Sequence, residues 1–495
     1  MKRRAAPLLI LLAAALVLMG HVGSPDVFFE SPAGPYPVRI VVRPPEVVPG
    51  RAEITVRATA ASGGGISGIS GIAVQPVVWN AGPEGVPPAE QALPVRGDRS
   101  LWSAQLWLMR PTSYSVRVTV SGAAGKGTVL VPVVAVATRR LPMQRGMAIV
   151  LAALGAFLLA GALTAIGAAV RESELPPGEE PDPRRRRRAR RVVAGTALLL
   201  ALGLWGGRVW WRSVDASFAR TIYRPFHVTA NVVTAAGAGR TLALKVDDPA
   251  AGGRGWTPLI LDHGKLMHLF LVRQPGQDAF GHLHPIAQGS ANTAFAATLP
   301  PLPAGPYRLY ADVTHEDGFS ETLTANVDLP SPGSAPGTPV TGSPPDPDDS
   351  FRTDPGIPAG PGGTFALGDG LTLTWLAAGP RVAGEDACLR FALRGADGKP
   401  AAIEPYMGML AHAAVVREDG QVFVHLHPEG TVSMAALQFF EDQQGKKMKM
   451  GSASPNDGIL SFPWAFPRPG RYHLWVQVRS GGPVRTGVFS VNVTR

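Results

Sequence analysis

Two short segments of the chain carry the same histidine pattern, and this repetition limits the fold more than any other feature. The segments are 262–285 and 405–431. Seven of the eleven histidines in the chain lie within them, so the histidines are clustered rather than spread along the chain. The sequence His-Leu-His-Pro aligns His268 with His412, His282 with His425, and His284 with His427. The chain therefore contains a duplicated unit.

Each segment is predicted to form a β-hairpin. In the second segment, Asp419 and Gly420 lie between two apolar runs. This is a strong signal for a two-residue turn, because both central residues need a positive φ. Counting back from the turn places His412 opposite His427 and diagonal to His425, on one face, because strand side chains alternate. The first segment gives the same arrangement with a slightly longer loop, so each hairpin should gather three imidazoles.

A fourth candidate ligand precedes each hairpin. Ungapped extension of the alignment places His263 on Met407, and a glycine follows each of them. Copper accepts both imidazole and thioether ligands, and Cu(I) favours the softer sulfur. Met409 is a weaker candidate, because methionine more often fills gaps in a core. The candidate metal ligands are His263, His268, His282, His284, Met407, His412, His425 and His427.

These residues have a structural interpretation as well as a functional one. A lone histidine on a strand is more often structural than a ligand, but histidines that recur in register favour coordination. Copper is the preferred metal, and zinc is the alternative. We expect two tandem sites that bind independently, with the Met-containing site holding Cu(I) more strongly. Binding should weaken below about pH 6.5, since only neutral imidazole coordinates a metal.

Three apolar stretches predict a membrane protein. The basic start and the apolar run that follows make residues 1–24 a signal peptide or an uncleaved anchor. Residues 146–170 and 192–211 are each long enough to span a bilayer as a helix. The loop 171–191 contains a run of arginines, which the positive-inside rule places in the cytoplasm. We therefore expect the chain at the cell membrane, with its large domains facing the periplasm or the cell exterior and no nucleic acid as partner.

Outside these stretches the sequence predicts β-structure. Glycine and proline are abundant, charges are few, and short apolar runs are separated by turns, a pattern typical of immunoglobulin-like sandwiches. The single cysteine excludes an intramolecular disulfide. The predicted fold class is all-β, with three extracytoplasmic immunoglobulin-like sandwich domains plus two or three transmembrane α-helices. The domains are expected at 25–144, 212–330 and 364–495, with a Pro/Gly/Ser-rich linker at 331–363 that is flexible or polyproline-like.

The duplication extends beyond the histidines. The sequence Gly-Pro-Tyr-Arg-Leu-Tyr at 305–310 matches Gly-Arg-Tyr-His-Leu-Trp at 470–475, and a further strand-like run follows each. Each copy is therefore a whole domain. An insertion at 432–444 has a helical pattern, and we expect it to cap the second hairpin.

The histidine pattern resembles that of a group of uncharacterised bacterial secreted or membrane-anchored proteins, which have His-x-x-x-x-His-Leu followed by His-x-His-Pro. Residues 263–285 carry the pattern in full, whereas 407–428 departs from it at Met407 and Ala413. The domains of that group look immunoglobulin-like and are similar in outline to CopC-type periplasmic copper carriers. Residues 111–137 also resemble the end of the small periplasmic FixH and YtkA modules. The resemblance implies sandwich domains that handle copper.

Together these features predict a membrane-anchored, extracytoplasmic protein that binds a metal, with copper preferred, for metal handling or delivery. We expect no enzyme, because no carboxylate lies at a recognisable general-base spacing from the histidines. The alternative is a non-catalytic interaction module of sandwich domains. It would assemble with an envelope or respiratory complex, and its histidines would serve that interface.

Overall fold

The chain folds mainly into β-sheet, with one pair of long helices. The computed structural model describes residues 25–59, 68–82, 85–176, 178–234, 239–249, 254–331, 345–353, 358–377, 379–385, 387–445 and 457–495. The predicted signal segment 1–24 lies outside these residues, as do 332–344 and 354–357 of the predicted linker. One unit, Met1–Thr138 with Tyr223–Arg495, contains all described strands, and the other, Arg139–Ile222, contains the two long helices.

The first β domain is a sandwich of two antiparallel sheets. Its strands are β1 (Val27–Ala33), β2 (Tyr36–Arg43), β3 (Gly50–Ala58), β4 (Ile69–Val78), β5 (Glu90–Gln91), β6 (Leu93–Val95), β7 (Asp98–Leu108), β8 (Thr112–Gly122) and β9 (Gly125–Ala135). The sheet orders are β1-β2-β3-β7-β6 and β5-β4-β8-β9. Residues along β3 alternate between buried and more exposed positions, as expected for a strand with one face on the core.

The second β domain has the same kind of architecture. Its strands are β10 (Val228–Thr234), β11 (Arg240–Val246), β12 (His268–Arg273), β13 (Phe280–Leu283), β14 (Ile286–Ala287), β15 (Ala294–Thr298), β16 (Gly305–Thr314) and β17 (Ser320–Leu329). One sheet has the order β10-β11-β15-β14, and the other contains β17-β16-β12-β13.

Part of the predicted linker is not flexible. Strand β18 (Ser350–Arg352) pairs antiparallel with β13 and extends the sheet of the second domain by one strand. Before it, the Lys265 ammonium forms ion pairs with Asp346 at 2.5 Å and with Asp348 at 3.4 Å. The proline-rich composition did predict a break between domains, but these charges bind the segment to the second domain.

The third β domain repeats the second. Its strands are β19 (Thr364–Gly368), β20 (Leu371–Trp375), β21 (Arg381–Val382), β22 (Ala387–Arg394), β23 (Ala411–Arg417), β24 (Phe423–Leu426), β25 (Ile459–Trp464), β26 (Gly470–Arg479) and β27 (Val484–Thr494). The sheet orders are β19-β20-β22-β25 and β21-β27-β26-β23-β24. The order β27-β26-β23-β24 corresponds to β17-β16-β12-β13, so the duplication predicted from the sequence is present in the topology.

The helical unit consists of α1 (Arg145–Glu172) and α2 (Pro183–Thr221). Both helices are long and apolar enough to cross a membrane by length and composition, and their most apolar windows contain no residue buried by the rest of the chain. The loop predicted at 171–191 is shorter, because Asp182 caps α2 by accepting a hydrogen bond from the Arg185 amide at 2.6 Å. The arginine run therefore forms the first turns of α2, which also continues ten residues beyond the predicted end at 211.

The insertion predicted at 432–444 forms helix α3 (Met434–Gln443), capped by the Ser433 hydroxyl. Its apolar side chains Met434, Leu437 and Phe440 join the hydrophobic core of the first domain. The helix therefore packs on the first domain and not only on the hairpin from which it extends. Its apolar side chains cover the open edge of that sandwich.

Candidate metal centre

The two histidine hairpins have the predicted register. Strand β12 pairs with β13 so that His268 lies opposite His284. Strand β23 pairs with β24 so that His412 lies opposite His427, with His425 on the same face. The alternation of strand side chains therefore collects the histidines on one face of each hairpin, as the sequence predicted.

The turn of the second hairpin lies one residue earlier than predicted. The Gly420 amide donates to the Arg417 carbonyl at 2.8 Å, so Glu418 and Asp419 are the central residues. The Glu418 amide donates to the Arg471 carbonyl on the neighbouring strand at 2.9 Å. Gly420 has a φ of 68° and leads the chain into β24, so the register survives the change of turn.

The histidine face of each hairpin points away from the core of its own sandwich. In β12, Leu269 and Leu271 pack inside the second domain, whereas His268 and Phe270 lie on the opposite face. Every residue of β12 except the last is buried. Such a strand is covered on both faces, and the third domain supplies the second cover.

The two copies face each other through equivalent aromatic residues. Phe280 of the second domain stacks on Trp475 of the third, with ring centroids 4.8 Å apart. Phe423, the equivalent of Phe280, stacks on Tyr310, the equivalent of Trp475, at 4.3 Å. Two such reciprocal contacts mean that the copies are related by an approximate two-fold arrangement. This arrangement brings their histidine faces together.

All seven histidines of the two segments form one buried cluster. His425, the most exposed of those on the strands, retains 9% of its surface, and the side chain of His263 is fully buried. The His425 ring lies 5.3 Å from that of His268 in the second domain and 4.4 Å from that of His427 in the third. The cluster is therefore continuous across the interface between the two domains.

Within the cluster, two groups of three histidines can each place one nitrogen per residue within 4.8 Å of the others. The first triad is His268, His282 and His284, and the shared triad is His263, His412 and His427. The shared triad combines histidines of both domains, so this grouping differs from the expected separate site in each domain. Sequence alignment shows which residues are equivalent, but it does not show that the two copies face each other.

His263 and Met407 occupy equivalent tight turns, as the alignment predicted. The turn 262–265 and the turn 406–409 are each closed by two backbone hydrogen bonds of 2.8 to 3.1 Å. His263 has a φ of 53° and Met407 a φ of 49°, so both backbones are in the left-handed region. Met407 is also buried, whereas Met409 packs in the core of the first domain.

Several histidines have one ring nitrogen held by a protein acceptor and the other without a partner. His284 Nδ1 lies 3.0 Å from Asp349 Oδ1, and His427 Nδ1 lies 3.3 Å from the Val432 carbonyl. The Nε2 atoms of both residues are buried without a hydrogen bond. Metal-binding histidines are oriented in this way, with one N–H donated to a carboxylate or carbonyl and the other nitrogen directed at the metal.

Two more histidines are oriented across the domain interface by equivalent positions of the duplication. His282 Nδ1 of the second domain lies 2.9 Å from Gln477 Oε1 of the third. His425 Nδ1 of the third domain lies 3.4 Å from Asp312 Oδ2 of the second. Asp312 pairs with His268 across the strands as Gln477 pairs with His412. His282 thus has an amide partner, whereas the equivalent His425 has a carboxylate partner.

Two ring nitrogens of the first triad face each other. His268 Nδ1 and His282 Nε2 are 3.2 Å apart, while His268 Nε2 lies 3.2 Å from the Asp262 carbonyl. If each outer nitrogen donates its proton to its acceptor, the two inner nitrogens both present lone pairs. Two nitrogen ligands of one tetrahedral ion with bonds of about 2.0 Å are about 3.3 Å apart. The pair therefore has the spacing of two ligands on one cation.

Burial controls the protonation of the cluster. Burial, together with neighbouring imidazoles, lowers the pKa of His263 and of His427 to about 4. Burial likewise lowers the pKa values of four further histidines, namely His268, His282, His412 and His425. Neutral imidazole is the form that binds metal, so the cluster is preset for coordination at neutral pH.

Sequence reasoning missed the acidic and amide residues around the cluster. Asp312 and Gln477 could have been found, because both follow the matched motifs 305–310 and 470–475 at the same offset. Asp349 lies in the predicted linker, where no pattern marked it. Together with Asp346 it forms a third possible ligand group around His284, but the Lys265 ammonium already pairs with Asp346. Asp349 is therefore better described as the residue that orients His284.

A known protein family matches the duplicated part of the chain. Residues 224–330 and 366–495 match a family described as a domain of unknown function, DUF8832. These segments correspond to the second and third β domains. No curated protein matches the chain.

Among solved structures, the chain is similar to a tetra-tandem repeat from the extending region of a large adhesion protein, with 9% identity over 91% of this chain and 70% of that one and a TM-score of 0.16. It is also similar to the Escherichia coli alpha-2-macroglobulin, with 9% identity over 96% of this chain, 23% of that chain and a TM-score of 0.20. Bacterial invasin gives 14% identity over 54% and 39% of the two chains, with a TM-score of 0.14. None of these similarities carries information on function.

Proposed function

We propose that the chain is a membrane-anchored, extracytoplasmic metal-binding protein whose site lies between the second and third β domains. The observation that carries this proposal is the single buried cluster with its two histidine triads. Buried polar atoms are normally hydrogen-bonded, and leaving one unpaired costs about 1–3 kcal/mol. His412 has both ring nitrogens buried without a partner. A neutral imidazole has one lone pair, and a bound cation accounts for the lone pair of His412.

Two ions, one for each triad, fit the grouping of the nitrogens. His425 lies between the triads and can serve either as a fourth ligand. Copper is the metal that we propose, because imidazole suits copper and the position equivalent to His263 carries a thioether at Met407, a ligand that favours Cu(I). Zinc is the alternative, because tetrahedral zinc is also bound by histidines.

The proposed role is to hold and hand on the metal rather than to catalyse a reaction. The histidines are buried inside the chain, so they are not available to form the contact surface of a partner protein. This burial argues against the alternative of an interaction module whose histidines serve an interface.

Membrane attachment through α1 and α2 completes the proposal. The two helices have the length and composition of membrane spans, and their apolar side chains, for example Phe157 at 73% exposure and Leu199 at 70%, are not covered by the chain. By the positive-inside rule, the arginine-rich start of α2 favours a cytoplasmic location for the connection between the helices. The β domains then face the periplasm or the cell exterior.

Metal titration of the full-length protein in detergent tests the proposed site. We expect wild-type protein to bind about two copper ions per chain, one for each triad, and the double variant His284→Ala/His412→Ala to lose binding at both triads. His227→Ala is the matched control, because His227 lies in the second domain with a side chain that is 79% exposed. Equal copper binding by the wild type and the double variant would exclude the site.

A further inference from the structure

A cavity of about 210 Å³ lies beside the histidine cluster and is lined by residues of all three β domains. His425 and His427 form part of its wall. The Nε2 atoms of both residues are without a hydrogen bond, and both residues are at least nine-tenths buried. His425 and His427 therefore connect the cavity to the histidine cluster behind its wall.

Two carboxylates line the same cavity. Asp262 accepts hydrogen bonds from the Ser433 hydroxyl at 2.8 Å and the Ala435 amide at 3.2 Å, at the start of α3. Asp312 accepts from the Thr322 hydroxyl at 2.5 Å and lies beside His425. Their side chains retain 14% and 24% of their surface, respectively. Both carboxylates thus adjoin a space large enough for a hydrated ion.

The two carboxylates can attract cations into the cavity. A cleft lined by charge of one sign raises the local concentration of counter-ions and can increase association rates by about 10- to 1,000-fold. The surroundings of Asp312 offer a hydroxyl and an imidazole but no lysine or arginine within ion-pair distance among the described residues. Burial raises the pKa of Asp312 to about 7, and a cation in the cavity would stabilise the ionised form of this carboxyl group.

We propose that this cavity is the access chamber of the metal centre, where Asp262 and Asp312 hold an incoming copper ion before it passes to His425 and His427. This inference rests on the proposed function. It also gives the order in which the triads receive copper, because the chamber adjoins the shared triad through His427. The first triad is then loaded after the shared triad, through the central His425.

Blocking the chamber without touching a ligand provides the first test. Ala436 lines the cavity, whereas Ala435, its neighbour on α3, is equally buried but does not. The full-length variants Ala436→Leu and Ala435→Leu are compared by stopped-flow uptake of Cu(I) from a coloured chelator complex. We expect Ala436→Leu to slow uptake at least about 10-fold relative to Ala435→Leu, with unchanged stoichiometry. Equal uptake rates in two folded variants would overturn the chamber.

Removing charge provides a second test that does not depend on overpacking. Asp262→Asn keeps the size of the side chain, and Asp397→Asn is the control, since Asp397 is 57% exposed and outside the cavity. Asp262→Asn should slow uptake and reduce its dependence on ionic strength, whereas Asp397→Asn should behave as wild type. Unchanged kinetics in Asp262→Asn would contradict the proposal. If wild-type protein binds no copper, the proposed function itself fails, which is a distinct outcome.

Discussion

The imidazole ring of His263 lies 5.1 Å from that of His427, although the two residues come from different β domains. His263 also lies 5.5 Å from His412, so a residue of the second domain completes a triad in the third. The two similar hairpins thus form one histidine cluster between them. A metal held there would stabilise the domain interface as well as occupy a site, because binding to the native state alone adds stability.

The partners that orient His282 and His425 should set metal affinity. Removing an outer hydrogen-bonding partner of a ligating histidine typically costs 10- to 100-fold in affinity. We expect Gln477→Ala and Asp312→Ala each to weaken copper binding by about that amount in competition titrations. Gln105→Ala, a surface change in the first domain, is the control. A Gln477→Ala variant with wild-type affinity would show that His282 is held by packing alone.

Met407 should influence the redox state of the bound copper. A thioether favours Cu(I), so replacing it with imidazole should lower the reduction potential of one bound ion. Redox titration of copper-loaded Met407→His measures this potential. Met409→Leu serves as the control, because Met409 packs in the core of the first domain. If Met407→His and wild type have the same potentials, Met407 is a packing residue.

The aromatic contacts should contribute strongly to the docking of the two copies. Trp475 is 1% exposed and stacks on Phe280, so Trp475→Ala should cost about 3–5 kcal/mol of the free energy of unfolding. It should also weaken metal binding, because the histidine faces separate. The control Trp107→Ala removes a side chain that is 58% exposed and should change stability by less than about 0.5 kcal/mol. Denaturant unfolding checks both values.

Acid should destabilise the metal-free protein. The pKa values of His263 and His427 fall to about 4 in the folded state from an ordinary value of 6.5, so below pH 6.5 the unfolded chain binds more protons. Stability should therefore be greatest above pH 6.5 and fall between about pH 6.5 and 4. Burial raises the pKa of Asp312 to about 7 and also raises the pKa values of Asp26, Asp262 and Glu429, which acts in the opposite direction. The six histidines with lowered pKa values outnumber these four carboxyl groups, so the net slope is positive.

Unfolding measured by tryptophan fluorescence between pH 8 and 4 tests this expectation, with the double variant His284→Ala/His412→Ala as comparison. The variant should lose part of the pH dependence, because His412 contributes through its lowered pKa. A wild-type stability that is flat from pH 8 to 4 would mean that the histidines are not buried as described.

The local part of the site could be predicted from the sequence. The pairing of His412 with His427 followed from two apolar runs around a turn signal, because a hairpin register depends only on nearby residues. The equivalence of His263 and Met407 followed from the ungapped alignment of the two turns. The boundaries of the helices differ from the prediction, because the cap at Asp182 puts the start of α2 before the arginine run.

The shared part of the site could not be predicted. Whether His263 points to its own hairpin or to the other copy depends on how two sandwiches pack, and no local pattern encodes that. The apolar runs of β12 and β23 were a signal that both sheet faces are covered, since a strand with one solvated face should alternate. These runs did not show which part of the chain packs against the second face. Asp349 was missed because a proline-rich linker does not predict an ordered residue.

Anomalous X-ray scattering at the copper edge, from crystals of copper-loaded full-length protein, tests the central claim most directly. We predict two peaks within the histidine cluster, one bonded to the first triad and one bonded to His263, His412 and His427 together. Crystals of the His263→Ala variant should lose the second peak and keep the first. Peaks confined to separate positions within single domains, or no peak among these histidines, would contradict a site shared between the two copies.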